Sequence, residues 1–256
     1  MQKIELFDKT FSNLDLNETV ELIEEKINVN KKVNIHTVNV DHLILAKKHK
    51  KFEEFMLNAE IVLADGMPIV WYSKMLKRPL KERVTGVDLS EKLFADSKKR
   101  NFKIFLLGGG PSVAEACVQK MTEKYGEIQI AGTYCPSAEE IANSTKSKQI
   151  VERINSSGAN ILLVALGAPK QELWIKTYKN QLNTNINIGV GATFDFLSGS
   201  IKRANPIFQK IGMEWFYRMM TDPRRLVKRY IIDDSYFIVL CVKDLTKRFG
   251  SRRSYE

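Results

Sequence analysis

The stretch Ala165-Leu-Gly-Ala-Pro-Lys-Gln-Glu-Leu-Trp174 sets a glycine-proline turn and four side chains able to bind a polar ligand at the end of an apolar strand. Ile161-Leu-Leu-Val-Ala-Leu166 is apolar throughout, as a fully buried strand is, and Pro169 suits the first turn of a helix whose free N–H groups favour an anion. A ligand site is expected at that strand end. Other apolar runs close in the same way: Thr37-Val-Asn39-Val-Asp41, Asp65-Gly66-Met-Pro68 and Gly108-Gly-Gly-Pro-Ser112. In open parallel α/β sheets, ligands bind outside the carboxyl ends of the strands.

Each of these residues has a chemical and a structural reading. Asp65, beside Gly66, suits a general base at the rim of a cleft; alone it would more often cap the helix starting near Met67 or Pro68. The polar character of the other strand ends favours the base. Thr37 and Asn39 suit a sugar hydroxyl or a uracil edge, or else a cap and a turn. Gly108, Gly109 and Gly110 run into a helix at Ser112, an arrangement that presents backbone N–H groups to a diphosphate. They do not complete a dinucleotide fingerprint, because Val113 stands where the third glycine belongs, and no Gly-Lys-Ser/Thr makes a Walker A loop. Hydride transfer and ATP hydrolysis lose ground accordingly. Arg83, in a loop after Pro79, is a surface cation or a phosphate ligand. The three histidines show no metal spacing and there is no Asp-x-Asp, so helix N-termini and cationic side chains are expected to stabilise a departing diphosphate without a metal.

Six apolar, β-branched runs would hold these residues: 33–37, 61–65, 103–108, 127–131, 161–166 and 186–190. Helix-length amphipathic segments separate them, and Ser112–Glu115 and Ser137–Glu140 have capping-box spacing. The alternation predicts an α/β fold with a Rossmann-like, mostly parallel sheet and helices on both faces, over residues 1–199. After Gly199 the alternation stops, which predicts a C-terminal helical, basic appendage over 200–256. Its run Tyr236–Val242 is too short to span a bilayer but suits a core or a lipid interface.

Composition agrees with one large core in 256 residues, 44% of them hydrophobic. No run approaches the roughly 20 apolar residues of a membrane span, and acids occupy the N-terminus where a signal peptide would be apolar, so a cytoplasmic location is expected. Cys117, Cys135 and Cys241 are odd in number and widely spaced, as reduced structural cysteines are. The net charge is +10, and Arg224–Glu256 carries nine basic against four acidic residues, half of that excess. An anionic partner for the tail is expected.

Taken together, Thr37-Val-Asn39-Val-Asp41, Ala64-Asp65-Gly66-Met-Pro68, Arg83-Val-Thr-Gly86, Leu107-Gly108-Gly109, Gly167-Ala-Pro-Lys-Gln171-Glu172, Gly191-Ala-Thr-Phe-Asp195-Phe and Glu214-Trp215-Phe-Tyr-Arg218 resemble the WecG/TagA/CpsF glycosyltransferase family, in order and spacing, from about Asn34 to Tyr230. The resemblance implies transfer of a sugar, typically N-acetylmannosamine, from a UDP donor to a polyprenyl-diphosphate-linked GlcNAc acceptor on the cytoplasmic membrane face, in teichoic acid or capsule synthesis. UDP-glucose or a UDP-uronic acid is the alternative donor. It further implies Asp65 as catalytic base; Thr37, Asn39, Arg83 and Gln171 around the substrate, with Gly108, Gly109, Gly110 and Glu172 beside them; and Arg218, Arg225 and Arg229 on the donor diphosphate or lipid phosphates. No cofactor or nucleic acid is implied, and the expected partners are an anionic membrane surface and a second copy of the chain. In Arg203-Ala-Asn205-Pro-Ile207, asparagine and isoleucine replace the family's usual proline and tryptophan, which points to a local change at the start of the appendage. The competing non-enzymatic reading, a basic module that binds nucleotide or anionic lipid, leaves the strand-end residues without a role.

Overall fold

The structure, a computed structural model, describes residues 1–204, 208 and 236–253. An antiparallel hairpin comes first, β1 (Lys3–Leu6) and β2 (Lys9–Ser12). It was not foreseen, although Lys3-Ile-Glu-Leu6 alternates exposed and buried side chains. Its two-residue turn, Phe7-Asp8, takes φ of 55° and 58°. Hairpin turns with two such residues usually carry Asn-Gly, so the standard turn signal is missing here.

The chain then alternates. Helix α1 (Leu16–Asn28) leads to β3 (Val33–Val38), α2 (Val40–Lys48) and α3 (Lys50–Asn58). Next come β4 (Ile61–Ala64), α4 (Met67–Met75), α5 (Gly86–Arg100) and β5 (Ile104–Gly108). These are followed by α6 (Val113–Tyr125), β6 (Ile130–Tyr134), α7 (Ala138–Ala142) and α8 (Ser144–Ser156). The main body closes with β7 (Ile161–Ala165), α9 (Lys170–Tyr178), β8 (Ile186–Gly189) and α10 (Thr193–Ser198). Strands β3 to β8 form one parallel sheet in the order β4-β3-β8-β7-β5-β6.

Alternate strand residues feed opposite faces. Ile35, Leu63, Leu106, Leu163 and Ile188 pack in one core with α1, α5, α6 and α10. Phe105, Leu107, Leu162 and Val164 pack in another with α8 and α9. The expected two-faced α/β architecture is therefore present. Two local expectations need correction. The edge strand β6 begins at Ile130 and not at Glu127; it is only half-buried and pairs with β5 through an irregular register, so the apolar pattern that marks its neighbours is weak. Ser137 forms its capping box, but Ser112 has φ 61° and makes no side-chain cap bond. A capping side chain needs extended backbone at its own residue.

The last described helix, α11 (Tyr236–Arg253), docks on the hairpin and α4. Among the described residues no helix is long and apolar enough to cross a membrane. Asp244, 8% exposed, is the joint: its carboxylate accepts from Phe7 N at 3.1 Å, Tyr72 Oη at 2.8 Å and Arg248 Nε at 2.7 Å. Phe7 stacks on Tyr72 at 4.7 Å, and Leu240 closes the contact from the helix side. The appendage expected from residue 200 thus returns to the main body. Residues 200–204 also stay on it, with Ala204 buried and Ile201 N bonded to Asp195 O.

Asp244→Ala strands the buried Phe7 N–H, while the Tyr72 hydroxyl keeps the Cys241 carbonyl at 3.2 Å, and is expected to lower stability in urea titration by about 1–3 kcal/mol. Lys247→Ala, at the exposed Lys247–Asp8 pair, is expected to change it by under about 0.5 kcal/mol.

Candidate active site

The carboxyl ends of the four adjacent strands β4, β3, β8 and β7 open onto a cleft of about 820 Å³. A larger hollow of about 970 Å³ lies between the hairpin and the end of α4, but no end of a parallel strand reaches it. Parallel pairing puts β3 and β4 in register up to Val38 and Ala64, so the turns that follow emerge side by side. Asp65 N donates to Val38 O at 2.8 Å, and a side chain on Gly66 would come within 3.6 Å of Asn39 Cα. Asp65 and Asn39 are thereby held on facing turns at the cleft wall.

Asp65 is not a helix cap. Gly66 occupies the N-cap of α4 with no side-chain bond, and the Asp65 side chain lines the cleft, half-buried. Asn39 does cap: its Oδ1 accepts from His42 N at 3.1 Å. That use takes one lone pair of the oxygen and leaves the other, with the NH₂ group, to serve a ligand. Thr37 lies buried on the cleft floor. A side chain on Gly86 would come within 3.5 Å of its hydroxyl and 3.4 Å of that of Thr193.

Gln171 is fixed at both ends of its amide. Its Oε1 accepts from Gly191 N at 3.0 Å, and its Nε2 donates to Glu172 Oε1 at 2.7 Å. Gly189 provides the space, since a Cβ there would sit 2.7 Å from Gln171 Nε2. Only the chain reversal after β7 brings Gln171 to the cleft; the helix start at Pro169 and Lys170 agrees with the sequence.

One wall is cationic. Asp88 binds Arg203 Nη1 at 2.7 Å and lies 3.9 Å from Arg83 Nη2, holding both guanidiniums at the cleft. Burial opposes the charge on Asp88, but the Arg203 bond, the Thr85 hydroxyl and Arg83 outweigh it and hold the carboxyl below its usual range. Thr85, Gly86 and Val87, at the positive end of α5, face the same space. Lys48 adds a further cation, while Asp41 and Asp65 are the acids of the lining. The arrangement suits an anionic ligand with an acid beside it.

The structure sets other expected residues apart from the cleft lining. Gly108 and Gly109 have φ of 97° and 82°, and a Cβ on Gly108 would sit 2.4 Å from Ala165 O, so turn geometry and close packing require these glycines. They and Gly110 lie at the end of β5, beyond the four strands that form the cleft. Glu172 is fully buried and turns behind the floor. Arg218, Arg225, Arg229, Asn205 and Ile207 lie outside the described residues. Reading strand ends alone missed Thr85, Thr193, Arg203 and His42; the Thr85-x-x-Asp88 helix start was the available signal for the first.

Glu172 lies against His36 and His42, and one ligand-capable atom of each falls within 4.8 Å of the others. Among the described residues this is the group able to hold a metal, though the histidine spacing in sequence gave no sign of it. Burial drives His36 well below its usual pKa, with His42 adding to the shift, and burial takes His42 down to about 4 against the pull of the Thr37 carbonyl. Burial pushes Glu172 up to about 7, partly offset by the Gln171 bond.

A model of the WecG/TagA/CpsF glycosyl transferase family matches residues 4–251, which takes in the hairpin and most of α11. The N-acetylglucosaminyldiphosphoundecaprenol N-acetyl-beta-D-mannosaminyltransferases of Staphylococcus aureus strains NCTC 8325, COL and MRSA252 are each 30% identical over 227 residues, covering 88% of this chain and 87% of theirs.

Gly189→Ala is expected to push the Gln171 amide out of place and slow sugar transfer roughly 10- to 100-fold, while far-UV circular dichroism stays unchanged.

Proposed function

The chain belongs to the WecG/TagA/CpsF family of glycosyl transferases, and from that premise we propose that it moves N-acetylmannosamine from a UDP donor to a polyprenyl-diphosphate-linked N-acetylglucosamine, with inversion at the anomeric carbon. The observation that carries this reading is Asp65, an acid held at the rim of a cationic cleft and not spent on capping the helix that follows it.

In the proposed step the acceptor hydroxyl attacks the anomeric carbon from the face opposite the diphosphate. The new C–O bond forms as the bond to the UDP oxygen breaks, and the hydroxyl proton passes to the Asp65 carboxylate. The leaving group departs with the bonding electrons, and its charge falls to Arg83, Arg203 and the N-terminus of α5. No divalent ion on the diphosphate is invoked. Thr37, Asn39 and Gln171 orient the sugar and the base through fixed hydroxyl and amide groups. Arg218, Arg225 and Arg229 complete the site by the same resemblance, meeting the diphosphate or lipid phosphates.

The acceptor is lipid-linked in the relatives' names, and this chain has a surface suited to reach one. Trp71 and Met75 on α4, with Ile238, Val239 and Val242 on α11, are exposed apolar side chains, and Trp71 and Phe237 both line the cleft. Peripheral docking of this face on the inner surface of the membrane is part of the proposal.

The deciding assay is UDP release from UDP-N-acetylmannosamine with a synthetic GlcNAc-diphospholipid acceptor. Wild-type release is expected to require the acceptor and to be indifferent to added Mg²⁺ or Mn²⁺. Asp65→Asn is expected to lose about 10²–10⁴-fold in rate with an unchanged melting temperature. Near-normal turnover in that variant rules out Asp65 as the base, and activity only with UDP-glucose or a UDP-uronic acid replaces the donor. Ile238→Ser with Val242→Ser is expected to weaken binding to anionic vesicles by roughly tenfold or more, because two apolar contacts are lost; undiminished co-sedimentation refutes docking through this helix.

A further inference from the structure

At the back of the cleft three polar side chains from separate elements converge: buried His36 of β3 and Glu172 of α9, and His42 of α2, which also lines the cleft. The side chains of His36 and Glu172 are each 1% exposed, and His36 Nε2 stands 3.7 Å from Glu172 Oε1, too far for a hydrogen bond. Phe52 and Phe55 meet the His36 ring edge-on, at 5.6 and 5.4 Å. Within this aromatic surrounding, both ring nitrogens of His36 and Oε2 of Glu172 have no hydrogen-bond partner. Buried polar atoms are nearly always satisfied. A cation set among the three side chains takes up one ring nitrogen of His36 and Oε2 of Glu172, while the second His36 nitrogen, on the other side of the ring, lies outside its reach.

On His42 and Glu172 the atom that points elsewhere is already bonded. His42 Nδ1 lies 3.0 Å from Thr37 O, and the carbonyl can only accept; the proton is therefore on Nδ1, and the lone pair is on Nε2. Glu172 Oε1 accepts from Gln171 Nε2, which leaves Oε2 free to bind. Metal-binding side chains are oriented by such outer hydrogen bonds, imidazole to carbonyl and carboxylate to amide. Burial also favours the neutral imidazole, the form that binds metal.

We propose that His36, His42 and Glu172 form a buried site for a divalent transition metal, with zinc the best chemical match. Two imidazoles and one carboxylate suit zinc, whereas magnesium and calcium require mostly oxygen ligands. Zinc with ligands at about 2 Å sets them about 3.3 Å apart, so the trio draws in by at most about 1.5 Å on binding. Of the three ligands His42 also lines the cleft, so the ion stands at the back of the cleft wall. It ties β3, α2 and α9 together behind the cleft, and its outer partners, Thr37 and Gln171, are both residues of the cleft lining. Its role is to hold those two walls in place.

The test is metal content, measured without sugar donor or acceptor and so independent of the transferase reading. Tag-free wild-type protein, loaded with zinc and then dialysed, is expected to retain about one equivalent per chain by elemental analysis. Exchange with Co²⁺ is expected to give visible d–d absorption, and excess zinc to raise Tm. His36→Phe and Glu172→Gln are each expected to lose most of the bound zinc and the Tm response. Wild-type protein that retains far less than one equivalent and melts at the same temperature with and without zinc overturns the proposal, whether or not the variants fold. Equal zinc in wild type and both folded variants overturns the ligand assignment.

Discussion

Parallel pairing of β3 with both β4 and β8 is the constraint on which the cleft depends. Because neighbouring strands run the same way, their following turns all leave from one edge of the sheet, and residues distant in sequence meet there. Asp65 bonds through its backbone to Val38, Asn39 starts the next helix beside it, and Gly189 lies between His36 and Val164 in register. An antiparallel neighbour would send one of these turns to the opposite edge. The open space at that edge then follows from small residues: Gly66, Gly86 and Gly189 each face an atom of the opposing wall at 2.7 to 3.6 Å from a would-be Cβ.

Charge is positioned by carboxylates set into the fold, half-buried Asp88 and buried Asp244. Asp88 fixes two arginines at the cleft while α5 presents its N-terminus beside them, so the cationic wall is rigid before a ligand arrives. Preorganised charge costs no reorganisation when a leaving group develops its own. Asp244 works similarly at a distance, gathering Phe7 N, the Tyr72 hydroxyl and Arg248 to hold α11 against the body. That joint sets Phe237 at the cleft and leaves Ile238 and Val242 exposed on the same helix. Glu172 supports the floor from below through Gln171.

Legibility in the sequence followed burial. The strands at 33–38, 61–64, 104–108, 161–165 and 186–189 are buried throughout and read clearly as apolar runs. The half-buried edge strand β6 was displaced by three residues, and the hairpin β1–β2 escaped notice because Phe-Asp gives no turn signal. Among site residues, Asp65, Thr37, Asn39, Arg83 and Gln171 stood out as polar groups at the ends of apolar runs, and all line the cleft. Gly108–Gly110 obeyed the same rule and line no part of it, because β5 lies one strand beyond.

The sequence by itself determined the element order, the two-faced sheet, the family and the strand-end residues, since periodicity, glycine and proline placement and ordered motifs are local properties of the chain. Only the tertiary structure decided which strand ends share a cleft, because strand order is set by crossover connections that no local pattern encodes. It also decided that Glu172, one residue from Gln171, turns away from the cleft. Successive helical residues point about 100° apart, so Gln171 faces the ligand space while its neighbour meets His36 and His42, which enter from other elements of the fold.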